Sequence, residues 1–161
     1  MLGRLTALPI IVVLLDIWFG LGLNIFQSLN STHTTAPNVL TAVPDVAFNW
    51  LQVMVNAGMV VIITFSLVIL LQLNKAMSQN QAYALGPFRL LGLFLTLAFS
   101  LPALYGFSMT VWQLLQGHWV ISLDNLRYLI TALSMIACAI ICLWRVFFWW
   151  RFYKQSRKMA T

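Results

Sequence analysis

A chain of 161 residues has the length of a single domain. Its 61% hydrophobic and 7% charged composition lies far from the roughly 25% charge of a soluble domain, so lipid must be the solvent for most of it. The net charge of +6 sets nine Lys and Arg against three acids, Asp16, Asp45 and Asp124, which leaves little with which to build a carboxylate-based active site.

The first apolar stretch runs from about Leu5 to Phe26. Arg4 ahead of it is the pattern of a secretory leader. Asp16 interrupts the stretch, however, and no small-x-small cleavage site follows closely, so the expectation is a retained first span. Asp16 is also the sharpest chemical feature of the sequence. It lies about eleven residues in, roughly 16 Å along a helix and near the bilayer midplane. An acid there costs at least ~2.5–3.5 kcal/mol, so it should face other helices and have a partner. Counted from the helix ends, Thr64, Ser100, Ser134 and Cys138 fall at similar depth, and none is cationic. The expectation is a protonated acid that hydrogen-bonds between helices. A proton relay, or an ion or ligand site, is the functional alternative.

A polar connection follows from Gln27 to Asn49, rich in Ser, Thr and Asn and holding Pro37 and Pro44. Within it, Asn30-Ser31-Thr32 fits a glycosylation sequon. The second span runs from about Trp50 to Leu73, and the connection Asn74 to Pro87 carries Lys75. The third span runs from about Phe88 to Leu114. Leu115 to Arg127 forms the last connection, in which Asp124 or Asn125 is placed to cap the next helix. His33 and His118 fall in external connections, where solvent-exposed histidine is the default. They could hold an external metal only with an added acid.

The fourth span runs from about Tyr128 to Trp150. Thr131, Ser134, Cys138, Cys142 and Arg145 follow one another at steps of three and four, which puts all five on one helix face. Small, weakly polar residues mark close helix contacts in lipid, so this face reads as a packing seam. The two cysteines lie one turn apart within hydrocarbon, which suits neither a redox pair nor a metal site. Beyond the seam, Arg145, Trp149, Trp150, Arg151 and Lys154 read as an interfacial anchor. Amphipathic rings prefer the headgroup level, and cations prefer an anionic inner leaflet. Continuity with a span argues against nucleic-acid binding.

None of the four stretches alternates with a period of two, which excludes a membrane barrel and leaves helices. The expected fold is all-α: one four-helix transmembrane domain over residues 1–161. Arg4, Lys75, Arg89, Arg145, Arg151, Lys154, Arg157 and Lys158 fall on one side and Arg127 alone on the other. By the positive-inside rule both termini are then cytoplasmic.

The first span, VVLLDIW, is similar to that of signal peptidase II, but the rest of that family's motif is absent. The DsbB-like oxidoreductases need external cysteine pairs, and this chain has none. From the second span onward, NQAYALGPFRLLG (Asn80 to Gly92) and ISLDNLRYLITAL (Ile121 to Leu133) resemble a group of small four-helix bacterial membrane proteins of unknown function. The acidic tail of that group is replaced here by a basic one. The resemblance implies a fold and supplies no activity.

No nucleophile and base share a depth, and there is no Gly-rich phosphate loop. The expectation is a non-enzymatic accessory or scaffold subunit of a larger membrane complex, without cofactor or metal, in a bacterial inner membrane. Its partners would be anionic lipids at the cytoplasmic face and another membrane subunit or a second copy. The alternatives are a small transporter or channel component using Asp16, and an immunity-type protein that blocks a pore-forming toxin.

Overall fold

The computed structural model describes residues 5–34, 39–79, 81, 83–117 and 122–159, and within these the side chains outside 31–49 and 152–159. It contains four helices: α1 (Leu8–Thr34), α2 (Val39–Ser78), α3 (Pro87–Leu115) and α4 (Leu123–Met159). Each contains a segment long and apolar enough to cross a membrane. The chain is an all-helical integral membrane protein.

Neighbouring helices run antiparallel, as cross-helix pairs show. Thr6, in the turn before α1, bonds to Asn74 of α2, while Trp18 bonds to Thr64. A rise in number along one helix is a fall along the other. The same reversal relates α3 to α4, where Leu93 faces Cys142 and Gly106 faces Tyr128. The four helices close a ring in chain order, with α1 packed on both α2 and α4, and α2 touching α4 across the diagonal. Both described ends of the chain therefore lie at one end of the bundle.

The helices run further than composition suggests. The polar stretch 27–49 was expected as a loop, yet α1 continues to Thr34 and α2 begins at Val39. Pro44 falls in the second turn of α2 without ending it. The physical reason is propagation. Once a lipid-embedded span has formed, each added residue gains a backbone hydrogen bond, and the weak preferences of Ser, Thr and Asn do not stop it. His33 and Asp45 thus lie on helices, with side chains outside the described set. Asn80 and His118 lie outside the described residues altogether.

The start of α4 differs from expectation in its cap. Ser122, not Asp124 or Asn125, takes that role, its Oγ accepting from the Asn125 backbone N–H at 3.2 Å. Asp124 sits in the first turn instead, where a negative charge complements the helix dipole. Pro87 opens α3 at a position where its missing N–H costs nothing.

In lipid the hydrophobic effect does not drive helices together, so close packing and polar contacts must. Two glycines make that packing close. A side chain at Gly92 would collide with Ile69 Cδ1 of α2, and one at Gly106 with the Tyr128 hydroxyl of α4. The core they admit contains Ile10, Val13, Leu67, Leu70, Leu73, Met135 and Cys138. The hydroxyls of Ser66, Thr96 and Ser100 donate to carbonyls of their own helices, so they enter this core without an unmet hydrogen bond.

Candidate functional site

Asp16 projects from α1 toward α4, and Arg127 meets it. The Arg127 Nε donates to Asp16 Oδ1 at 2.5 Å, and Nη2 donates to the Asp16 backbone carbonyl at 3.3 Å. The guanidinium carbon also stands 5.0 Å from the Phe19 ring centroid, which adds a cation–π contact. Gly20, one turn beyond Asp16, leaves the room: a Cβ there would lie 3.4 Å from Nη2. Three residues of one α1 turn thus hold one arginine.

This overturns the expectation of a midplane acid without a cation. Counting residues from the ends of the apolar stretches puts Arg127 in an external connection, away from the midplane. Because α4 begins at Leu123, Arg127 lies one turn inside the helix, and its long side chain covers the remaining depth. A usable signal was present in the sequence. A span aspartate needs a partner, and Arg127 is the one Lys or Arg outside the group of eight on the other side of the charge split.

The pair is not sealed. The side chains of Arg127 and Asp16 keep 37% and 23% of their surface uncovered by this chain. Leu15, Trp18 and Phe19 around them are exposed, and the Trp18 indole N–H donates to Thr64 Oγ1 at 3.2 Å. A polar spot therefore opens on a lipid-facing surface. Beside it lies a pocket of about 230 Å³ between all four helices, lined by Val13, Ile17, Ile63, Ala103, Thr131 and Met135 among others. Its walls are apolar, so it offers water too few partners to stay wet.

The α4 face expected as a packing seam meets the bundle unevenly. Cys138 and Cys142 are fully buried, and the Cys142 thiol points to the Leu93 carbonyl at 3.7 Å. Thr131 and Ser134 are half-buried. The Thr131 hydroxyl is turned back onto the Arg127 carbonyl, tying the seam to the ion pair. Ile136 is half-buried too. Ile140 faces out, at 62% exposure.

A second polar cluster lies at the end of the bundle that holds both described chain ends. Asn74, 1% exposed, accepts from Arg145 Nε at 2.7 Å and exchanges hydrogen bonds with the Thr6 hydroxyl at 2.9 and 3.1 Å. It joins the turn before α1 to α2 and α4. Arg145, expected in the interfacial anchor, is half-buried in this layer with its guanidinium 5.0 Å from the Trp144 ring. Next to it, Tyr83 organises the segment before α3. Its hydroxyl donates to Gln72, its carbonyl accepts from the Trp149 indole at 2.8 Å, and its ring lies 4.6 Å from the Arg89 guanidinium. Of the other expected anchors, Trp150 and Arg151 are exposed and the side chain of Lys154 is outside the described set.

Among the described residues, no group of three His, Cys, Asp or Glu side chains is placed to hold a metal ion. No family model, curated protein or solved structure matches this chain.

Proposed function

We propose that this chain is a non-enzymatic accessory or scaffold subunit of a larger membrane complex, docking to a partner's transmembrane helix over the Asp16–Arg127 pair. One observation carries the reading: an ion pair on a lipid-facing surface that the chain's own helices leave partly uncovered. Hydrocarbon gives nothing back to exposed polar atoms, whereas a partner helix with a hydroxyl or amide does. Short connections leave little outside the lipid for other work.

We place it in a bacterial inner membrane with both termini cytoplasmic. The support is the split of the basic residues. Arg4, Lys75, Arg89, Arg145, Arg151, Lys154, Arg157 and Lys158 belong to one side, and antiparallel neighbours bring both described ends of the chain there together.

The test is a mild-detergent pull-down of the tagged chain with mass spectrometry. It compares the wild type with the double variant Asp16→Asn/Arg127→Gln, which removes both charges and leaves neither unpaired. The expected result is a stoichiometric membrane partner captured by the wild type and lost by the variant. Capture of the same partner by both would reject the docking surface. Proton flux into vesicles by the purified chain alone, stopped by Asp16→Asn, would replace this reading with transport.

A further inference from the structure

We infer that Arg145 is the centre of a seat for the phosphate of an anionic phospholipid, at the end of the bundle where both described chain ends lie. The chain has three acidic side chains and no others. Asp16 is held by Arg127. Asp45 precedes Asn74 by roughly 40 Å of helix and Asp124 precedes Arg145 by roughly 30 Å. No side-chain carboxylate of this chain can reach Arg145. Its counter-charge has to come from outside.

Arg145 is nonetheless held like a binding residue. Its Nε is fixed on Asn74 Oδ1, and Asn74 is fixed in turn by Thr6. Among the described residues nothing hydrogen-bonds the two terminal nitrogens of the guanidinium, which are placed to receive an oxyanion in the fork geometry that suits phosphate. The surroundings select lipid as its source. Trp144, Trp149, Trp150 and Tyr83 stand at the same end, as residues of a headgroup belt do. Exposed Leu143, Phe147 and Phe148 supply the apolar flank that acyl chains would cover. Arg89, Lys75 and Arg151 add cations at that end. A phosphate in solution would gain from the cations but not from the apolar flank.

This seat does not depend on the partner docking proposed above, and it is tested on the purified chain alone. The full chain is reconstituted in nanodiscs of phosphatidylcholine with a minor fraction of phosphatidylglycerol, then extracted and analysed for retained lipid by native mass spectrometry. Phosphatidylglycerol should be enriched over its bulk fraction, by about fivefold for each cation engaged. Arg145→Gln should abolish most of the enrichment. Arg145→Lys should keep part of it, since the charge stays and the fork is lost. Arg151→Gln, at an exposed cation that lies against the Phe147 ring, should keep most of it.

Absence of enrichment in the wild type overturns the inference whatever the variants do. So does undiminished enrichment in a folded Arg145→Gln protein. Inorganic phosphate at millimolar concentration supplies the other arm. If phosphate alone displaces the retained lipid, the site recognises a free oxyanion and the lipid assignment fails.

Discussion

Arg127 Nε donates to Asp16 Oδ1 at 2.5 Å, joining the fourth helix to the first across 111 residues of sequence. Within a span, such a pair is held less by its own attraction than by the cost of leaving either partner alone. Asp16→Asn and Arg127→Gln should therefore each destabilise the bundle by roughly 2–3 kcal/mol, and the double variant by less than their sum, by roughly 1–2 kcal/mol. Unfolding in mixed detergent micelles measures all three. Strict additivity would show that the two residues are not coupled.

Gly20 makes a graded test of the same contact. A Cβ at this position sits 3.4 Å from the Arg127 guanidinium, which is tolerable, while a branched side chain is not. Gly20→Ala should change stability by under about 0.5 kcal/mol, and Gly20→Leu should approach the loss seen for Arg127→Gln. Equal tolerance of both would mean that the arginine does not need the Gly20 groove.

The two glycine contacts predict specific rescues. Gly92→Ala should cost roughly 1–3 kcal/mol from overpacking, and Ile69→Val, which removes the colliding Cδ1, should recover much of it. Gly106→Ala should cost a similar amount, relieved by Tyr128→Phe, which removes the colliding hydroxyl. Rescue in the crossed combinations, Ile69→Val for Gly106 or Tyr128→Phe for Gly92, would refute the assignment of these neighbours.

Along α4, Cys138 is fully buried and Ile140 faces out. Cys138→Leu should lose roughly 1–3 kcal/mol, and Ile140→Leu should stay within about 0.5 kcal/mol of wild type. The comparison is read from the fraction of folded protein recovered after purification. A harmless Cys138→Leu would move the seam off the bundle interior.

The charge split predicts orientation. Reporter fusions after Thr161 and within residues 30–38 should report opposite sides of the membrane, with Thr161 cytoplasmic. An external Thr161 would invert the map and move the lipid seat at Arg145 to the other leaflet.

The number of helices and their approximate spans were legible from composition, because roughly 20 unbroken apolar residues have few fates other than a transmembrane helix. The need of Asp16 for a partner was legible for a related reason, since a charge in hydrocarbon is costly wherever its neighbours lie. The identity of that partner was not. It depends on where α4 begins, on an antiparallel register set by packing, and on how far the Arg127 side chain extends along the helix. Residue counting sees none of these. The same holds for Asn74. On sequence it opens a polar connection after the second span. In the fold it is a buried joint between α2, α4 and the turn before α1, because the bundle brings Thr6 and Arg145 to one level. Hydropathy is summed along the chain and so survives without a structure. Pairing is decided between helices, at distances that only the tertiary arrangement sets.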